Sequence, residues 1–224
     1  MLLSSSYGGW GTASLAGDAA ELEGLLCHLV EARGARRIAL LGHSTGCQDV
    51  VALLRCCGRR ARAAVCAVAL QAPVSDREYL ATLPDTEERL AAAQRLVDAG
   101  RGEELLPRHS AFGATPVTAA RFVSLAARAG AEDFFSSDLS DAELADALGH
   151  VDVPTTLLPS TEDEYVPRAV DAAALAARLA AAMPRAEVCA IQGAPHAPAE
   201  TQHVEALIAG VLALLERANA ASSA

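Results

Sequence analysis

Short, continuously apolar runs alternate along the chain with longer stretches whose apolar positions recur every three or four residues. The short runs have the pattern of strands covered on both faces, and the longer ones that of amphipathic helices. Strands are predicted at residues 1–5, 37–41, 64–70, 155–158 and 187–191. Helices are predicted at 17–32, 45–58, 86–99, 116–129, 140–149, 168–182 and 200–217. The run AVCAVAL at 64–70 suits a central strand of a parallel sheet. Thr115 before Pro116 predicts an N-cap followed by proline at the first helical position, and Ser140 with Glu143 predicts a capping box. The alternation predicts an α/β fold with a mainly parallel sheet and flanking helices.

One stretch breaks the alternation. Between the strands at 64–70 and 155–158 there are only helical and loop signals, far more chain than a crossover needs. A helical cap inserted at 74–150 is therefore expected, between core segments 1–73 and 151–218, with a fraying tail at 219–224.

The 224 residues suffice for one sizeable core. With 18 basic against 28 acidic residues the net charge is −10, the wrong sign for a nucleic-acid partner. The hydrophobic fraction of 52% is largely alanine, and aromatics are only 4%. The longest apolar run, 206–215, falls short of the roughly 20 residues that span a bilayer. No signal-peptide pattern opens the chain, so no membrane association and a cytoplasmic location are expected. Six cysteines without paired spacing predict free thiols. Neither they nor the histidines have metal-ligand spacing, so no metal and no organic cofactor is expected.

The chemistry concentrates in LLGHSTGCQDVVALL, residues 40–54. Gly42, Ser44 and Gly46 form Gly-x-Ser-x-Gly between a predicted strand and a predicted helix, the arrangement of a nucleophile elbow. The plainer alternative is a serine that caps the helix. The glycines would leave room for a strained serine, and the amide of Thr45 would donate to a developing oxyanion. A serine hydroxyl needs a base, and the base an orienting acid. On this fold they follow the serine in the order acid, then histidine, each after a strand. Asp163, in the polar loop STEDEYVP after the strand at 155–158, is the favoured acid; Asp76, after the strand at 64–70, is its rival. His196, after a Gly-Ala-Pro turn, is the candidate base. His28, His109 and His150 suit surface or core roles, His203 lies inside the last helix, and His43 is expected to pack or hydrogen-bond locally within the elbow.

These motifs, together with SSSYGGWGTASLAGDAAEL (4–22), APVSDREYL (72–80) and RFVSLAARAGAEDFFSSDLSDAEL (121–144), resemble an esterase-like α/β-hydrolase family whose fungal members include siderophore esterases. The resemblance implies Ser44, Asp163 and His196 as triad and a small-molecule ester as substrate. A thioesterase, an acyltransferase or a non-catalytic hydrolase-like binding module would share the same frame. The stretch at 2–15 matches a later part of that fold than its opening strands, so the chain is expected to lack the first strands and the loop that gives the second oxyanion donor. Phe134 and Phe135, unusual in an aromatic-poor chain, could wall the acyl pocket or anchor the cap to the core. Arg77 and Glu78 read first as an ion pair.

Overall fold

The computed structural model describes residues 2–108 and 112–221. A 3₁₀ turn at Tyr7–Gly11 leads into helix α1 (Leu15–Ala32), strand β1 (Ile38–His43), α2 (Thr45–Cys56), the short α3 (Arg59–Ala64) and β2 (Val65–Gln71). Four helices follow without a strand: α4 (Asp76–Ala81), α5 (Thr86–Asp98), α6 (Ala119–Ala126) and α7 (Asp141–Leu148). The chain then returns through β3 (Thr155–Leu158), α8 (Ala172–Ala181), β4 (Ala186–Val188) and α9 (Thr201–Ala220).

The four strands form one parallel sheet in the order β1-β2-β3-β4. Parallel pairing aligns the carboxyl ends, so the loops after β1, β2 and β3 open at one edge. β2 shows why a continuously apolar run was needed. Val65, Val68 and Leu70 enter the core under α1, α2, α7 and α8, whereas Ala67 and Ala69 enter the core under α9. The small alanines let α9 lie close, and so does Gly210. A Cβ there would sit 2.6 Å from Cδ2 of Leu158.

The stretch between β2 and β3 is held in two ways. Leu80, Ala93, Leu106, Phe122 and Leu125 gather in a core of their own, with Trp10 packed against it. Phe135, Leu139, Leu144 and Leu148 instead join the core beneath the sheet. Arg77 ties the two parts together through Asp133, at 2.9 Å, and Asp138. Glu78 does not pair with Arg77 but accepts from the amide and hydroxyl of Ser137, at 3.1 Å and 2.5 Å.

Several sequence expectations are corrected. Residues 2–5 form no strand: the amide of Ser6 turns back onto the carbonyl of Leu3, and Ser4 caps onto Glu21 of α1. Pro116 does not start a helix. Its neighbour Val117 accepts from the amide of Leu106, Leu105 bridges Thr118, and Thr118 takes over as the N-cap of α6. The predicted tail is helical through Ala220, and residues 222–224 lie outside the described residues. β4 is shorter than expected, with Ile191 joined to Ser160 by an isolated bridge. The capping box of Ser140 and Glu143 forms as predicted.

Phe135 is fully buried and Phe134 only partly so. Phe135→Ala should therefore cost about 3–5 kcal/mol of stability, and Phe134→Ala clearly less. Urea unfolding of both variants measures this, and equal losses would contradict the packing described.

Candidate active site

Ser44 stands between β1 and α2 with φ 55° and ψ −127°, a region that a residue with a side chain rarely occupies. Such a conformation costs on the order of 1–3 kcal/mol and persists only where the surroundings enforce it. The enforcement is visible. Ser44 donates its amide to the carbonyl of Gln71 at 3.1 Å and accepts from the amide of Cys47 at 2.8 Å. At Gly42 a Cβ would lie 2.4 Å from the carbonyl oxygen of Gly46, so this position tolerates only glycine. Gly46 itself faces open space, contrary to the expectation that both glycines are sterically required. The Ser44 side chain makes no capping hydrogen bond, which removes the plainer reading of this serine as a helix cap. Thr45 is the first residue of α2 and is exposed, so its amide is among those a helix start leaves available.

The acid and base loops are stitched to one another. The amide of Thr161 donates to Ile191 at 3.2 Å, that of Glu162 to Ala194 at 2.9 Å, and that of Gly193 to the Thr161 hydroxyl at 2.8 Å. Glu164 accepts the amide of His196 at 2.9 Å, a bond that lowers its own pKa. Within this frame Nδ1 of His196 donates to both carboxylate oxygens of Asp163, at 2.9 and 3.0 Å. Both side chains are buried, and Asp163 also accepts the amide of Tyr165 at 3.0 Å. Because Nδ1 carries the proton, Nε2 of the neutral ring is left with its lone pair. The ring stacks edge-on against Tyr165 at 4.5 Å between centroids and lies 5.0 Å from the ring of His43. No hydrogen bond joins Ser44 to His196 among the described residues.

Asp76, the rival acid, accepts from Nε2 of Gln48 at 2.8 Å, and no hydrogen bond joins it to His196 among the described residues. Phe134 and Phe135 pack into the core under the sheet and do not line the apolar pocket beside Asp163, which is formed by Val74, Leu157, Val166, Leu175 and Leu179. His28 is exposed, His150 donates Nε2–H to the carbonyl of Val51 at 2.8 Å, and His203 is buried in α9. His109 lies outside the described residues. The six cysteines are free thiols, and among the described residues no cluster of three His, Cys, Asp or Glu could hold a metal. No described helix is long and apolar enough to cross a membrane.

Two features escaped the sequence. Gln71 ends an otherwise apolar strand, and that single polar position is its only mark in the sequence. An acidic cluster also forms beside α2, built from buried Asp18 of α1 and Glu132 and half-buried Asp49 of α2 and Asp76 of α4, with buried Arg121 of α6 paired to Glu132. No pattern in the chain marks residues so far apart as neighbours. Burial pushes Asp76 up to about 7, helped by the charge of Glu132 and opposed by Arg121 and His196. Burial likewise pushes Asp49 to about 7, helped by Asp18 and Glu132 and opposed by Arg121.

A strained serine after a parallel strand and a carboxylate–imidazole pair two loops away define a hydrolase-type α/β protein. The chain belongs to the family described as a protein of unknown function, DUF1749, which matches residues 1–216. It is 35% identical to a UPF0613 protein of Schizosaccharomyces pombe, over 76% of this chain and 60% of that one. It is 31% identical to an esterase of Emericella nidulans, AN6793, over 67% of this chain and 54% of the relative. It is 29% identical to the fusarinine C esterase sidJ of Aspergillus fumigatus, over 80% of this chain and 65% of the relative. The chain thus spans less than two thirds of the length of these relatives. Among solved structures, the siderophore hydrolase EstB of Aspergillus fumigatus superposes with a TM-score of 0.75 at 25% identity, over 97% of this chain and 80% of its own. An α/β-hydrolase fold protein of unknown function matches with a TM-score of 0.67 at 20% identity, over 98% of this chain and 76% of its own. The fold is that of the α/β hydrolases.

The acidic cluster fixes a direction of pH dependence. A carboxyl group whose pKa is higher folded than unfolded binds its proton more tightly in the native state, so stability falls as pH rises from about 4, the unfolded value, towards 7. Urea unfolding at pH 5 and pH 7.5 should show this fall, and Asp49→Asn and Asp76→Asn should each flatten it. An unchanged slope in both variants would show that the cluster does not hold these protons.

Proposed function

We propose that this chain is the catalytic part of a serine hydrolase that cleaves carboxylic esters of small molecules. The observation that carries the reading is the buried hydrogen bond from Nδ1 of His196 to Asp163, which leaves Nε2 as a base beside the elbow. The relatives, an esterase, a fusarinine C esterase and a siderophore hydrolase, support ester cleavage over the related acyl transfers. The cytoplasmic location and the boundaries of the cap insertion at 74–150 stand as part of the same proposal.

In this reading Nε2 of His196 takes the proton of Ser44 as Oγ attacks the ester carbonyl. The imidazolium that forms is stabilised by Asp163, which stays ionised and keeps the ring in the productive tautomer. The carbonyl oxygen becomes negative and is met by the amide of Thr45 at the start of α2, a donor worth about 3 kcal/mol of barrier. His196 then protonates the departing alkoxide. A water, deprotonated by the same nitrogen, attacks the acyl–Ser44 ester, and His196 returns that proton to the departing Oγ of Ser44 as the acid is released. In substrate-free sites the serine–histidine contact commonly tightens only when substrate is bound. Asp76 and Gln48 take no step in this mechanism.

The test is intact-mass labelling of the purified chain with a fluorophosphonate, together with hydrolysis of short-chain oxygen esters. One adduct is expected, absent in Ser44→Ala. Asp163→Asn should slow the reaction by roughly 10⁴-fold, because the imidazole then sits in the wrong tautomer. A chain that is folded by circular dichroism and takes no label contradicts the reading.

A further inference from the structure

Gln71 is the last residue of β2 and is 2% exposed. A serine–histidine–aspartate mechanism has no use for an amide at this place, yet every part of this one is engaged. Its Nε2 donates to the hydroxyl of Ser160 at 3.3 Å and to the main-chain carbonyl of His196 at 3.2 Å. Its Oε1 faces Nδ1 of His43. Its main-chain carbonyl accepts from the amide of Ser44 at 3.1 Å and from Sγ of Cys47 at 3.2 Å.

The orientation of the amide follows from these partners. A carbonyl only accepts, so the end that faces His196 is the nitrogen, and the end that faces His43 is the oxygen. Nδ1 of His43 therefore carries a proton, and the neutral ring keeps its lone pair on Nε2. One residue thus holds the nucleophile through its backbone and the base loop, the acid strand and His43 through its side chain.

We propose that Gln71 is a positioning residue, which fixes the base loop against the nucleophile elbow and holds His43 in its Nδ1–H tautomer. The proposal rests on the reading of Ser44 and His196 as nucleophile and base. The groups that face the two imidazoles are Asp163, Glu164 and Tyr165 from the acid loop, Asp76 from α4, and each other at 5.0 Å. A carboxamide joins these elements without adding charge. A carboxylate at 71 would still accept from His43, would repel the carbonyl of His196, and would favour a proton on both rings.

The experiment compares Gln71→Leu and Gln71→Glu with the unaltered chain. It reads the fluorophosphonate labelling rate against pH and the ¹⁵N shifts of the histidine rings. Gln71→Leu should lower the labelling rate by about 100-fold with circular dichroism unchanged, and His43 should lose its Nδ1–H preference. Gln71→Glu should move the acid limb of the labelling profile up by about one pH unit. If both variants keep the rate, the pH limb and the ring shifts, Gln71 only packs and the proposal is overturned, whatever the change in Tm. Should Gln71→Leu not fold, Gln71→Glu and Gln71→Asn carry the test on the same readouts. Failure of the unaltered chain to label would sink the reading of Ser44, and the ring shifts would then decide on Gln71. A His43 tautomer indifferent to substitution overturns the proposal, and one that follows the substitution supports it.

Discussion

A serine held at φ 55° sets the terms for everything around it. That backbone is unfavourable by about 1–3 kcal/mol and would relax into an ordinary strand-to-helix turn if its neighbours allowed. They do not. The carbonyl of Gln71 on the adjacent strand fixes the Ser44 amide, and the carbonyl of Gly46 closes onto Gly42 so tightly that no side chain fits. The same turn opens α2 at Thr45, directly after the strained serine.

The remaining chemistry comes to that turn because the strands are parallel. β1, β2 and β3 end at the same edge, so loops separated by more than a hundred residues become neighbours. The isolated bridge of Ser160 to Ile191 extends this alignment past β3 and brings the Asp163 loop against the His196 loop. The helical stretch between β2 and β3 joins the main core through Phe135, is tied by the Arg77 contacts, and has a core of its own elsewhere. Beside α2 the structure tolerates four carboxylates around one arginine by raising Asp49 and Asp76 to about 7. Low dielectric makes ionising all of them costly, so protons substitute for missing cations.

Much of the architecture was legible because it rests on periodicity. The strands β1, β2 and β3 and the helices α1, α5, α7 and α9 came out close to their predicted spans, since each has a face that must be apolar. The errors fall where a longer-range partner overruled a local signal. Residues 2–5 have strand composition but are turned back by Ser4 and Glu21. Thr115-Pro116 has the chemistry of a helix start, yet the backbone there is already paired to Leu105 and Leu106. The short α3 and α4, each six residues, are too brief for a periodic pattern to declare them.

For the site, the sequence by itself determined the residue types and their order: Ser44 in a glycine-flanked turn, then Asp163, then His196. Those are local motifs, and local motifs are what a chain can carry in its letters. It also determined that Thr45 opens a helix. Only the tertiary structure shows which carboxylate the His196 ring meets: Asp163 and Asp76 both follow parallel strands, but the ring bonds to Asp163 while Asp76 accepts from Gln48. Only the tertiary structure sent Phe135 into the core, brought Asp18, Asp49, Asp76 and Glu132 within reach of Arg121 and one another, and made Gln71 a junction of three loops. Each of those outcomes depends on contacts between residues far apart in the chain, and the energies of burial and hydrogen bonding that select them exist only once the sheet has formed.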